Sequence, residues 1–274
     1  MADGNEDSRV ADDEREDGPD PRDVAAISAA ISARDLQIRL YQFADDSMQG
    51  RQVGRVGNKK GTDYLAAEMK RLGLRGVMMP GNPAVADYDD PIYAPFYEAA
   101  VDLGLPLSFH ILTSSGDSLR ARGPRLNGFL SIIRGCQDII GMFVLGGVFE
   151  RHPKLKLVCV EADAGWVPHF MYRMDHAWER HRYWLPAGTL TKKPSEYFRR
   201  QCWISCEPDE PYLPRVLDFI GEDRILFASD YPHPDHKWPE TAEAMLAMPI
   251  PDEAKRKILW DNPAAFYGLD ELSA

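Results

Sequence analysis

Residues 225–235 read ILFASDYPHPD, an apolar run that ends in a carboxylate and breaks at once into Pro-His-Pro. An apolar run this short suits a buried strand, and proline, which lacks the N–H that a ladder needs, stops it there. Asp230 then stands at the strand exit. Outward from this stretch the same unit recurs. PYLPRVLDFIG (211–221) is a helix leading into the strand DRILFASD (223–230), and CWISCE (202–207) is the strand before it. An aromatic-rich helix, AGWVPHFMYRMDHAWERHRYW (164–184), follows the strand KLKLVCVE (154–161), which itself follows the mainly helical GFLSIIRGCQDIIGMFVLGGVFERHP.

Further back, PIYAPFYEAAVDLGL (91–105) is a helix before the strand PLSFHI (106–111), and DYLAAEMKRLGL (63–74) is a helix, ended by Gly73, before the strand RGVMMPG (75–81). Helices in PETAEAMLAM and PDEAKRKILWDNPAAFYGL close the chain. Short apolar strands separated by amphipathic helices mean an α/β protein with a parallel sheet and helical crossovers. Five or six strands at separations of roughly 25 to 50 residues point to a (β/α)8 TIM-barrel type, with a doubly wound sheet as the alternative. No GxGxxG follows the first strand, which weakens the dinucleotide-binding form of that alternative.

The first part of the chain is different. Residues 1–23 hold ten acids against three arginines and account for most of the formal net charge of −11, so they read as a disordered acidic tail. Residues 24–62 are poorly patterned: VAAISAAISAR (24–34) suits a short helix, LQIRLYQF (36–43) alternates like a strand, and 45–62 reads as loop. The barrel domain is expected over 63–274. A nearly balanced body argues against nucleic acid and against a basic membrane surface as partners, and no run approaches the ~18 apolar residues of a membrane span. Cys136, Cys159, Cys202 and Cys206, with no signal-peptide pattern, suggest reduced thiols in the cytoplasm. Cys202 and Cys206 share a strand face and read as packing groups rather than a zinc pair.

In a barrel, chemistry sits at the C-terminal ends of the strands. Those ends carry His110, Glu161, Ser205 or Glu207, and Asp230. Each alone has a structural reading: a core histidine, a paired acid, a turn-forming aspartate. An imidazole and two carboxylates converging on one mouth instead suit a divalent metal ion, Zn or Mn, with an open position for water. His233, fixed between two prolines, stands near that mouth. Trp166 and His169 open the helix after Glu161, where they wall a substrate pocket or join an aromatic cluster. Arg120, Arg122 and Arg125 follow His110 and offer a carboxylate anchor, whereas the run His176–His181 reads as a solvated helix end.

The stretches FASDYPHPD (227–235), PLSFH (106–110), GVFERHPKLKLVCVEADAGWVPHFMYRMD (147–175) and DNPAAFYGL (261–269) resemble the amidohydrolase-related family that includes aminocarboxymuconate semialdehyde decarboxylase and the resorcylate decarboxylases. The resemblance covers about residues 63–270. It implies a metal-dependent (β/α)8 barrel with His110, ending the fifth strand, and Asp230, ending the eighth, as metal ligands. Glu161 stands where the decarboxylases carry a catalytic histidine, and in this the chain resembles the hydrolase-like or uncharacterised branch more than the decarboxylases.

The family also opens on a strand bearing HxH or ExH, and this chain has no histidine before His110. Counting back makes 75–79 strand four and 36–43 strand three, so the barrel is expected to be incomplete at its N-terminus. The resulting expectation is a metal-dependent hydrolase or non-oxidative decarboxylase of a small carboxylated or cyclic metabolite. Asp230 and Glu161 would be catalytic, Trp166, His169 and His233 would contact substrate, and His110 and Asp230 would hold the metal. A truncated or degenerate chain without activity is the alternative, and a homodimer is implied by resemblance.

Overall fold

The computed structural model describes residues 32–51, 55–83, 85–110, 123–128, 130–231, 233 and 239–269. The expected acidic tail and most of the expected 24–34 helix lie outside the described residues. The chain divides into two compact units, Met1–Leu74 and Arg75–Ala274.

In the first unit the alternation at 36–43 is not a strand. These residues belong to helix α1, Ala33–Ala44. Leu36 and Leu40 are exposed while Asp35 and Ile38 are buried, three residues apart as on one helix face. The local signal was Ser32-x-x-Asp35: Ser32 Oγ accepts the Asp35 N–H at 3.1 Å and donates to Asp35 Oδ2 at 2.6 Å. The expected loop at 45–62 is likewise mostly helical, with a 3-10 turn at Asp46–Arg51 and helix α2 from Val56 to Arg71. Gly57 makes this packing possible, since a Cβ there would overlap the Met48 carbonyl oxygen. Gly73, at φ +67°, ends the helix as anticipated.

The second unit is built on five parallel strands: β1 Val77–Pro80, β2 Leu107–His110, β3 Leu157–Cys159, β4 Cys202–Cys206 and β5 Ile225–Phe227. They neighbour one another in chain order, β1-β2-β3-β4-β5. A doubly wound sheet reverses direction at a switch point, whereas successive neighbours without reversal are the arrangement of a (β/α) barrel. With 36–43 helical, β1 corresponds to the fourth strand of the expected barrel, and no strand precedes it among the described residues. Connecting helices are α3 Ala94–Asp102, α4 Ser131–Leu145, α5 Val148–Arg151, α6 Val167–His181, α7 Pro194–Gln201 and α8 Leu213–Ile220. Helices α9 Thr241–Ala247, α10 Asp252–Arg256 and, after a π turn at Lys257–Asp261, α11 Asn262–Tyr267 follow.

Register gives the two sheet faces different chemistry. Met79, Phe109, Cys159 and Ile204 align across four strands, and Leu107, Leu157 and Cys202 align beside them. This face packs on the helices, with Phe143 of α4 at the centre. Its ring lies 5.5 Å from Tyr97, Phe109 and Phe149. The opposite face carries Ser108, His110, Val158, Trp203, Ser205 and Leu226, floored by Phe266 at 4.9 Å from the Trp203 ring.

Within the DNPAAFYGL stretch, Asn262 donates to the Glu222 and Ile225 carbonyls at 2.7 and 2.8 Å and pins α11 to β5. The four cysteines are buried and unbridged, with Cys159, Cys202 and Cys206 in the helix-facing core. Leu126–Leu145 is long and apolar enough to cross a membrane by length and composition. In α4, however, Cys136, Ile139, Ile140, Phe143 and Val144 are buried in the core beneath the sheet.

Because Phe143 is fully buried and touches rings from several elements, Phe143→Ala is expected to lower stability by about 3–5 kcal/mol. Urea unfolding measures the loss, and a change below about 1 kcal/mol would show that the ring is not the keystone of this layer.

Candidate functional site

Alternation along β2 decides where His110 points. Leu107 and Phe109 take the helix-facing side, which leaves Ser108 and His110 on the other. On β3 the last paired residue is Cys159. The chain then leaves the sheet through Glu161 and Asp163, both in the left-handed region at φ +56° and +53°. Asp230, past the end of β5, is there too at φ +54°. Such backbone costs energy for a residue with a Cβ and persists only where neighbours hold it. For Asp230 the holding contact is a turn in which the His233 N–H donates to its carbonyl at 2.8 Å.

These turns bring four side chains into one group. His233 Nδ1 lies 2.6 Å from Asp230 Oδ1 and 3.1 Å from Glu161 Oε1. Glu161 Oε2 is buried and lies against His110 Nε2. Glu161, Asp230 and His233 each offer a ligand atom within 4.8 Å of the others. A buried carboxylate oxygen beside an imidazole nitrogen, with a second carboxylate adjoining, is a donor set that fits Zn²⁺ or Mn²⁺.

Electrostatics agree with a site built for added positive charge. Burial, and then Asp230, hold the Glu161 carboxyl above the usual carboxylate range. The hydrogen bond and charge of Asp230 raise the His233 imidazole above its usual value. Glu207, half-buried at the exit of β4, is pushed up to about 7 by burial and by Asp230, Asp163, Glu161 and Asp209. Sequence reading placed Glu207 at this strand end but gave it no role.

Trp166 and His169, the expected substrate contacts, have the following surroundings. Trp166 Nε1 donates to the Ala162 carbonyl at 2.6 Å and its ring meets Phe170 edge-on. His169 is exposed on α6 beside Tyr172, with His176 one turn further along. His181 stacks on Trp184 at 4.6 Å. Arg120 and Arg122 lie outside the described residues, and Arg125 begins a 3-10 turn, Arg125–Gly128.

Two supporting contacts were not foreseen: sequence reading placed Ser205 at a strand end without this role and did not single out Glu210. Ser205 of β4, buried, accepts the Glu161 N–H at 2.9 Å. Glu210, only 8% exposed, accepts the Ala164 N–H at 2.8 Å through Oε2 and the Gly165 N–H through Oε1. Gly165 allows that approach, for a Cβ there would stand 2.8 Å from Glu210 Oε1. No local pattern marks an acid 46 residues away as a partner of a loop. The buried carboxylate in EPDEPY was the only hint.

Glu207 supplies a pH signature. In the metal-free folded protein it keeps its proton up to about 7, against a usual value of 4.5. Between those values the folded state binds more protons than the unfolded chain, so stability falls as pH rises and stays at the lower level above the window. Glu207→Gln is expected to remove this fall. Urea unfolding with a chelator present, at about pH 5 and about pH 8, measures it, and a parent and variant that change equally would contradict the burial of this charge.

The likeness to known proteins follows the same lines. Over 215 residues the chain is 28% identical to the 2-amino-3-carboxymuconate-6-semialdehyde decarboxylase of Dictyostelium discoideum, covering 76% of this chain and 58% of that protein. A crystal structure of an amidohydrolase from Mycobacterium avium subsp. paratuberculosis K-10 superposes with a TM-score of 0.65 at 25% identity, over 77% of this chain and 55% of that one. A dihydroxybenzoic acid decarboxylase from Polaromonas sp. JS666, crystallised with manganese and the inhibitor 2-nitroresorcinol, shares the fold at a TM-score of 0.57 and 22% identity, over 77% of this chain and 66% of that one. The chain thus spans somewhat more than half the length of the first two. The amidohydrolase family profile matches residues 13–269, nearly the whole sequence, and the protein belongs to the amidohydrolase family.

Proposed function

We propose that this protein is a metal-dependent carboxy-lyase that removes a carboxylate from a small cyclic or planar metabolite without net oxidation. One observation carries the reading: His110, Glu161 and Asp230, from the exits of three parallel strands, converge with His233 in a single group. Its similarity to a decarboxylase over three quarters of the chain supports the reaction class. His110, Glu161 and Asp230 are the residues that would hold a divalent metal. When bound, the ion supplies Lewis-acid polarisation of a substrate oxygen.

The remaining work falls to the side chains. The His233 side chain is 60% exposed, so it can reach a substrate at the mouth while Asp230 Oδ1, 2.6 Å from its Nδ1, orients the ring. Its raised affinity for a proton suits a general acid. The imidazolium gives that proton to the carbon that loses CO₂, and the electron pair of the broken C–C bond becomes the new C–H bond. Asp230 and Glu161 stabilise the imidazolium beforehand, and solvent at the exposed ring returns its proton between turnovers. Hydrolysis of a small carboxylated metabolite is the rival reading, since a carboxylate beside the same ion can take a proton from water.

The test combines metal content with product. The purified protein is expected to hold about one Mn²⁺ or Zn²⁺ per chain, His110→Ala to lose it, and His233→Ala to keep it while losing about 10²–10⁴-fold in CO₂ release from an aromatic carboxylate. Metal-dependent turnover without CO₂ would select hydrolysis. A chain that takes up no metal, with His110→Ala indistinguishable from the parent, would leave a non-catalytic member of the family.

A further inference from the structure

We propose that β4 and the loop after it position Glu161 through Ser205 and Glu210 as paired positioning residues. The inference rests on the reading of Glu161 as a ligand. Between β3 and α6 the chain runs through Glu161-Ala162-Asp163-Ala164-Gly165, and two of these five residues have left-handed backbone. Each such residue has a more favourable extended or helical alternative, so the loop's shape depends on the contacts that hold it, the Trp166 Nε1–H bond to the Ala162 carbonyl being one.

The structure shows what holds it. Ser205 Oγ takes the N–H of Glu161 itself at 2.9 Å. Glu210 takes the next outward-facing pair, with Ala164 N at 3.1 Å from Oε1 and 2.8 Å from Oε2, and Gly165 N also on Oε1. One contact fixes the start of the loop and the other fixes its end, so the Glu161 side chain leaves a backbone pinned on both sides. Both partners are buried, Ser205 at 4% and Glu210 at 8% exposure, so neither is a surface group that happens to reach the loop.

Burying the Glu210 carboxylate raises its affinity for a proton, and only the two N–H groups offset that. A buried acid without a cationic partner is costly to keep for packing alone. Its contacts go wholly to the segment that carries the candidate ligand. Groups that orient a metal ligand typically change metal affinity by about 10–100-fold when removed.

The test reads metal affinity and does not need turnover. Mn²⁺ is titrated into the chelator-stripped full-length protein and followed by the loss of its free-ion EPR signal, well below the unfolding temperature of each variant. Ser205→Ala and Glu210→Ala are each expected to weaken Mn²⁺ about tenfold or more. Glu210→Gln, whose amide oxygen can take both N–H groups, is expected to stay within about threefold of the parent. If Glu161→Gln weakens Mn²⁺ but Ser205→Ala and Glu210→Ala bind it as the parent does, even with lowered melting temperatures, the two residues are merely structural and the inference fails. If Glu161→Gln itself leaves Mn²⁺ affinity unchanged, the ligand assignment fails first and the inference falls with it. Should Glu210→Ala not fold, Ser205→Ala decides between these results.

Discussion

Carboxylates gathered in a partly dry space repel one another, and the C-terminal edge of this sheet gathers several. Glu161, Asp163, Glu207 and Asp230 come from the exits of β3, β4 and β5, and each of the first three has its proton affinity raised, by burial first of all. Such an arrangement is stable only where something supplies opposing charge. His233 supplies part of it. A divalent cation, which the buried Glu161 oxygen and its imidazole neighbour fit, would supply the rest.

The remainder of the second unit can be understood as what brings these groups together against their repulsion. Parallel strands in chain order put all the exits on one edge, and the period of two sends His110 and Ser205 to the face away from the helices. The aromatic layer around Phe143 keeps the sheet seated, and Asn262 ties the last helix to β5. Left-handed backbone at Glu161, Asp163 and Asp230 then turns the chain sharply where each strand ends. Here the carbon–carbon chemistry proposed for the family member and the folding of its sheet place demands on the same few residues.

Much of this was legible in the sequence, and the reasons differ from one element to the next. β3, β4 and β5 were readable because short apolar runs between amphipathic helices have few other meanings, and each was marked by an acid or hydroxyl at its end. Residues 36–43 misled because Leu36, Ile38 and Leu40 alternate by accident, two of them facing solvent. The Ser32-x-x-Asp35 cap carried the better signal there. Helix α2 began earlier than its apolar pattern because Gly57 was needed for close packing on Met48, and glycine hides a helix from a propensity argument.

The sequence by itself determined the class of the fold, the alternation that aims His110, and the presence of Glu161, Asp230 and His233 at or just beyond strand ends, because these follow from local periodicity and from where proline stops a strand. Only the tertiary structure decided that Glu161 would touch His110, that His233 would bridge Glu161 and Asp230, and that Ser205 and Glu210 would hold the loop. Each of those contacts, apart from the short His233–Asp230 turn, joins residues more than forty positions apart. Distance through space depends on strand register, and register is set by how the whole sheet packs.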